Sequence, residues 1–215
     1  MPFIALEGPE GAGKSVQLRK LSVDLKIAGL DPIVTKEPGG TLLGRHIRGI
    51  LLDAQSCGLD PFAEFLLFQA DRAQHALEVL RPALKNGRFV LSDRYIFSSI
   101  AYQIHGRGLD EKVCRQVIKT ATQGLMPDLT IILMVSPKVG LNRAIGRSTD
   151  LDRIEREEWS FHQRVAEAYE SFIHTFPNCV RVDAEQEESE VYRDILQKLA
   201  ERFPASNIPP VAVRG

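Results

Sequence analysis

EGPEGAGKSVQ, residues Glu7 to Gln17, decides the fold. Gly8, Gly13, Lys14 and Ser15 stand on the fixed positions of G-x-x-x-x-G-K-[ST]. An apolar run, Phe3–Leu6, precedes it, and Leu18, Leu21 and Leu25 follow at helical spacing. Strand, glycine-rich turn and helix in that order build a loop that wraps phosphate. Gly8, Gly11 and Gly13 allow the backbone to curl with its N–H groups inward, and the helix N-terminus adds partial positive charge. Lys14 would reach the β/γ-phosphates, and the Ser15 hydroxyl would take Mg²⁺. Glu10 is unexpected, being a carboxylate inside a loop made for anions.

Working outward, four more apolar runs read as buried strands: Pro32–Thr35, Arg88–Ser92, Leu129–Val135 and Cys179–Asp183. Helical patterns alternate with them at Leu42–Leu52, Pro61–Lys85, Ser98–Gln103, Asp110–Gln123, Pro137–Ala144, Glu157–Phe176 and Glu187–Phe203. Gly29 is placed to end the first helix, and Pro82 argues against a regular last turn in Pro61–Lys85. Such alternation predicts an α/β, doubly wound parallel sheet with helices on both faces and ligands at the strands' carboxyl ends. The 215 residues suit one domain, expected over 1–204, with 205–215 (ASNIPPVAVRG at its core) as a flexible tail.

Composition excludes several function classes. With 44% hydrophobic and 26% charged residues and a formal net charge of −1, nothing suggests a polybasic binder of nucleic acid or membranes. Cys57, Cys114 and Cys179 are scattered and odd in number, which reads as reduced thiols and not as a metal or disulfide framework. No apolar run is long enough to span a membrane, and PFIALEG is too short for a signal peptide, so the cytoplasm is expected.

Four further stretches bear on chemistry. RFVLSDRY (Arg88–Tyr95) ends a strand in Asp93 and Arg94; the carboxylate can hold Mg²⁺ and the arginine can bridge phosphate oxygens, unless the two are a plain strand-end ion pair. In FLLFQADRAQH (Phe65–His75), Phe68 and Arg72 share a helix face. They suit a flat base with a carbonyl, or Phe68 joins Phe62, Phe65, Leu66, Leu77 and Leu80 in the core. His75 reads as structural or solvent-exposed. KEPGGTLLGRHIR (Lys36–Arg48) makes a turn, offers Thr41 as a helix cap, and carries Arg45 and Arg48 toward either the cleft or solvent. GRSTDLDRIEREEW (Gly146–Trp159) is a surface loop or a lid at about 146–157 whose Arg143, Arg147 and Arg153 close over phosphates.

Taken together, EGPEGAGKS, EPGGT, LLFQADRAQH, SDRY, SSIAYQ, PDLTIIL and LDRIERE resemble the bacterial thymidylate kinase (dTMP kinase) family, from Phe3 to about Asp183. That resemblance implies a three-layer, P-loop NTPase-like fold with a five-stranded parallel sheet, usually in homodimers packed through helices. It implies the reaction ATP + dTMP → ADP + dTDP with Mg²⁺ on Ser15 and Asp93. Gly11, Ala12, Gly13, Lys14, Ser15 and Val16 would bind ATP, with Gly8 opening the loop; Arg48 and Arg94 would hold the dTMP phosphate. Phe68 would stack on thymine and Arg72 would bond its carbonyl. Ser98, Tyr102 and Gln103 would line base and sugar, with Tyr102 crowding out a ribose 2′-hydroxyl. Asp183–Gln186 resembles the loop beside adenine. Glu10 would face the 3′-hydroxyl of dTMP, and the absence of arginine from the loop gives the charge at transfer to Lys14, Arg94 and the lid's Arg147 and Arg153, with Asp93 organising metal and water. The chain departs from the family at Arg45, at Ile104 and His105, at Met134, and in a lid one residue longer around Ser148–Asp150. The alternatives are a kinase for another nucleoside monophosphate and a non-catalytic nucleotide-binding regulator. A GTPase switch is disfavoured because no N-K-x-D guanine signature follows the fourth strand.

Overall fold

In β1 (Phe3–Glu7) all five residues are buried, as a strand covered on both faces must be. Its pairing sets the architecture of the computed structural model, which describes residues 1–54, 58–147 and 151–204, with only the backbone of Arg147. β2 (Ile33–Lys36), β3 (Val90–Asp93), β4 (Leu129–Met134) and β5 (Cys179–Asp183) complete a five-stranded parallel sheet in the order β2-β3-β1-β4-β5. The expected α/β class and strand number are both observed. β1 and β3 are neighbours, but the chain leaves them in opposite directions, toward β2 and β4. The crevice at their carboxyl ends is the sheet's switch point. Register sets Leu6 opposite Asp93, so the phosphate loop and the Asp93–Arg94 pair emerge side by side.

Alternation along β1 feeds two cores. Phe3 and Ala5 join the cluster under α3 (Pro61–His75) and α8 (Trp159–Thr175), with Phe65, Phe97, Tyr169 and Phe172. Ile4 and Leu6 join Leu18, Leu21 and Leu25 of α1 (Lys14–Ile27) and Ile195 and Leu199 of the C-terminal helix, Glu188–Arg202. Thr41 caps α2 (Leu42–Leu52) by accepting from the Gly44 N–H at 2.9 Å. Gly29, at φ 81, lies just past α1.

Two helical segments are wider than their sequence pattern suggests. After α3 the chain runs as π-helix over Ala76–Leu80 before α4 (Arg81–Lys85). Pro82 has no N–H to donate and its ring crowds the carbonyl four residues back, so the preceding turn opens and Arg81 N–H bonds Ala76 O. The second π segment, Ile100–Gly106, follows α5 (Ile96–Ser99) and carries Tyr102 and Gln103. Phe65 and Leu80 are buried as expected, but Phe62, Leu66 and Leu77 are exposed. They lie on a side of α3 and of the π-helical turn after it that the described residues leave exposed. α6 (Glu111–Thr122) is capped by Asp110, and α7 (Pro137–Arg147) leads into the stretch expected as a lid. Ser148–Asp150, the 205–215 tail and Cys57 lie outside the described residues. Among the described residues no helix is long and apolar enough to cross a membrane.

The phosphate loop rests directly on α7. A Cβ on Gly11 would sit 2.1 Å from Gly140 O, and one on Gly140 would sit 2.2 Å from Glu10 O. Backbone meets backbone on both sides, so neither can yield without moving the loop. Gly140→Ala should therefore cost about 1–3 kcal/mol of stability, read by urea unfolding. A variant as stable as the parent would contradict this contact.

Candidate active site

Two clefts open at the switch point. The first is bounded by Glu10 to Val16, with Lys36, Asp93, Arg94 and Arg143. It therefore collects Gly11, Ala12, Gly13, Lys14 and Ser15 as the motif predicts, while Gly8 serves from behind through its carbonyl. Lys14 is buried and folds back, donating from Nζ to Gly8 O at 2.9 Å and Pro9 O at 2.8 Å. Burial, then repulsion from Arg94, lowers its pKa to about 8 despite nearby Glu10 and Asp93. Ser15 Oγ donates to Asp93 Oδ2 at 2.5 Å, so the two residues expected at a metal already touch. Arg143 donates to Ala184 O at 2.7 Å, which joins this cleft to the Asp183–Gln186 loop.

The second cleft is lined by Pro38, Leu52, Phe68, Ser98, Ser99, Tyr102, Gln103 and Ile154. Phe68, Leu52, Pro38 and Ile154 give it apolar walls, and hydroxyl, amide and charged groups complete the lining. Glu10, Glu37, Arg48, Arg94 and Asp152 line both clefts. Arg48 is anchored on Pro38 O at 3.1 Å, whereas Arg45, one turn earlier, is exposed and lines neither cleft. Phe68 reaches the second cleft, and Arg72 lies beneath it, behind Glu37 and Ser99. Arg72 spends Nε on Glu37, Nη1 on Gln69 and Ser99, and one Nη2 hydrogen on Tyr95 O, all within 2.7–2.8 Å. Of five guanidinium N–H groups, one on Nη2 remains without a partner among the described residues.

Arg94 sits where the clefts meet. Its φ of 72 is a left-handed conformation unusual for a residue with a side chain. Nη2 donates to Glu10 Oε1 at 2.7 Å and Tyr102 Oη at 3.2 Å; Nη1 donates to Gly8 O and Ser98 Oγ, both at 3.1 Å. Burial would raise the Glu10 pKa, but the Arg94 and Lys14 cations and the Tyr102 hydroxyl bring it down to about 2. Glu10 stays ionised, and both its protein hydrogen bonds fall on Oε1. Oε2 has no hydrogen-bond partner among the described residues.

The other lid arginine expected here lies elsewhere. Arg153 pairs with Glu64 Oε2 at 2.7 Å and donates from Nε to Leu51 O at 2.9 Å, so it grips α3 and the end of α2 and lines neither cleft. The backbone of Arg147 ends α7, the helix whose Arg143 bounds the first cleft.

Sequence patterns did not single out three buried carboxylates behind the site. Glu7 accepts from Tyr95 N, Ser98 N, Ser98 Oγ and Tyr169 Oη, at 2.7–3.1 Å, and burial still raises its pKa. Glu37 holds Arg72 and His75, the latter buried and therefore structural. Glu64 holds Arg107, Arg153 and Gln103. Only Glu64 left a usable signal: with Phe68 and Arg72 it repeats at four-residue spacing on one helix face.

Known proteins with this arrangement point one way. Residues 6–195 match the family model described as thymidylate kinase. A thymidylate kinase of Halothermothrix orenii is 47% identical over 199 residues, covering 92% of this chain and 95% of the relative. One from Deinococcus radiodurans is 46% identical over 201 residues, covering 93% and 97%. The crystal structure of thymidylate kinase from Ehrlichia chaffeensis superposes with a TM-score of 0.76 at 28% identity, over 92% of this chain and 98% of that one.

Asp71 supplies a test of the charge network under the site. Its Oδ1 accepts from Gly39 N at 2.9 Å, and Oδ2 is buried without a partner among the described residues. Burial, then the charge of Glu37, raises its pKa to about 6, against the pull of Gly39 N–H, Arg72 and His75. The folded state thus binds this proton more tightly than the unfolded chain, and stability is lost as pH rises from about 4 to about 6. Asp71→Asn keeps the acceptor and cannot ionise. Its unfolding free energy relative to the parent should rise by up to about 3 kcal/mol across that window, measured by urea titration at pH 4.5 and 7; a constant difference would refute the raised pKa.

Proposed function

This chain belongs to the thymidylate kinase family, and on that premise we propose that it transfers the γ-phosphoryl group of ATP to dTMP, giving dTDP and ADP. One observation carries this beyond nucleotide binding: the two clefts share a wall in which Arg48 and Arg94 face both sides. A regulator that only senses a nucleotide needs the loop, and has no use for two arginines facing a second cleft.

ATP would lie along Gly11 to Ser15, its phosphates replacing the Gly8 and Pro9 carbonyls as partners of Lys14. An anionic phosphate there favours the protonated lysine, opposing the depression that burial causes. The dTMP ring would stack on Phe68, its phosphate between Arg48 and Arg94, and its 3′-hydroxyl toward the open Oε2 of Glu10. Tyr102, tied to Glu10 and Arg94, would crowd a 2′-hydroxyl. Among the described residues no three His, Cys, Asp or Glu side chains form a metal cluster. Ser15 and Asp93 supply two hard oxygens, which fits Mg²⁺ completing its shell with phosphate and water. Bound there, the ion would offset charge on the phosphate oxygens. Transfer itself needs positioning and charge more than covalent help. Because Arg153 is anchored to Glu64, of the three arginines expected over the phosphates Arg143 would supply charge at the first cleft, with Arg147 four residues further along α7.

The exposed Phe62, Leu66 and Leu77 support a homodimer, since they follow one α3 face and its continuation. Buried Cys114 and Cys179, both unpaired, suit the reducing cytoplasm.

Lys14→Ala should keep the fold and lower kcat by about 10²-fold or more; full ADP release in a coupled assay would sink the assignment. In the same assay dTMP should be the preferred acceptor over UMP, dCMP and AMP, and a flat profile would remove the thymine reading. Leu66→Arg should halve the sedimenting mass in analytical ultracentrifugation; an unchanged mass would mean this face is not the contact.

A further inference from the structure

α3 carries one carboxylate that phosphoryl transfer leaves unused. Glu64 is fully buried, yet it gathers three side chains from two other segments. Gln103 Nε2 donates to its Oε1 at 2.7 Å. Arg107 Nη2 and Arg153 Nη2 lie 3.0 Å and 2.7 Å from its Oε2. Two guanidiniums neutralise the anion, which is what keeps such a group tolerable in the interior.

A carboxylate can only accept hydrogen bonds. The Gln103 amide must therefore turn its NH₂ group toward Glu64, and Oε1 is left as the polar end available to the cleft that Gln103 lines. Arg72, buried behind the Glu37 and Ser99 wall of the same cleft, has only donors. Gln103 is thus the group that presents an acceptor at the cleft. Thymine presents the complement, a ring carbonyl next to a ring N–H. Cytosine presents an amine next to a bare ring nitrogen, which is the reverse. An unconstrained glutamine amide can turn over and serve either pattern.

We propose that Glu64 is a positioning residue that sets the base preference of the acceptor cleft by holding the Gln103 amide in one orientation. Its other oxygen grips Arg153, between Asp152 and Ile154 of the cleft wall, so base selection and the lid root hang on one anion. The assignment rests on the second cleft being the dTMP site.

The test compares kcat/KM for dTMP and dCMP in the parent, Glu64→Gln, Gln103→Leu and the double variant. Glutamine at position 64 donates as well as accepts, so Gln103 regains both orientations. The dTMP/dCMP ratio should fall about tenfold in Glu64→Gln, the worth of one hydrogen bond, mainly through KM. In the Gln103→Leu background the same substitution should leave the ratio nearly unchanged. An unaltered ratio in Glu64→Gln, or an equal fall in both backgrounds, overturns the proposal. Glu64→Asp keeps an anion for both arginines and withdraws it from Gln103 by one methylene. It must also lower the ratio, and it decides the matter should Glu64→Gln not fold. A parent with no preference for dTMP fails the functional reading as well, whereas a preference untouched by any substitution at Glu64 fails this proposal alone.

Discussion

Arg94 is the constraint around which both halves of the site are arranged. The pairing of β1 with β3 sets Leu6 opposite Asp93, and the Arg94 N–H continues that ladder by donating to Leu6 O at 2.9 Å. The chain must then turn within one residue, into a left-handed conformation that costs on the order of 1 kcal/mol. Its surroundings over-determine that conformation: Ser92 Oγ caps its carbonyl at 2.7 Å, and the guanidinium is held by the loop, Glu10, Ser98 and Tyr102. Glycine would take the same turn without strain but could not place a cation between two clefts. Strain at one residue thus goes with a cation placed between two clefts.

Charge in this molecule is local. A net charge near zero hides a cleft where Lys14, Arg48, Arg94 and Arg143 converge, balanced by carboxylates that include Glu10 and Asp93. Beneath it the buried acids Glu7, Glu37 and Glu64 each collect several donors. Buried ion pairs are weak sources of stability, because desolvation consumes much of the attraction. Their effect is on orientation: Glu7 fixes Ser98 and the start of α5, Glu37 fixes Arg72, and Glu64 fixes Gln103. The side chains that would touch nucleotide are held from behind by groups that would not.

Much of this was legible in the sequence, and the limits are physical. The strands and most helix boundaries follow from apolar runs and periodicity, and Thr41 and Gly29 from local backbone chemistry. The loop's residues came together because a contiguous motif places them. Buried acids escaped notice because their partners are remote: Glu7 meets Ser98 across 91 positions and Glu64 meets Gln103 across 39. No short-range pattern marks such pairs. Arg153 was expected over the phosphates because an arginine in a polar loop reads as free, and only the fold reveals the buried carboxylate that claims it. The π-helical turns were likewise hidden, although Pro82 signalled the first.

The exposed residues of α3 were misjudged for a different reason, and that reason is informative. A surface helix ordinarily buries its apolar stripe and shows its charges to water. α3 does the reverse over much of its length: Glu64, Asp71, Arg72 and His75 are buried, while Phe62 and Leu66, with Leu77 just beyond, are exposed. Phe65 alone gives it a conventional anchor in the aromatic core. An inverted helix of this kind is stable only if its inner charges are matched, as Glu37, Arg107 and Arg153 match them, and if its outer face loses water to something apolar. A second copy of the chain on that face would press on the same helix that carries Phe68 and Arg72 beneath the base. Assembly and base recognition would then share one rigid element, and the inversion that defeats a simple reading of the pattern would let one helix do both.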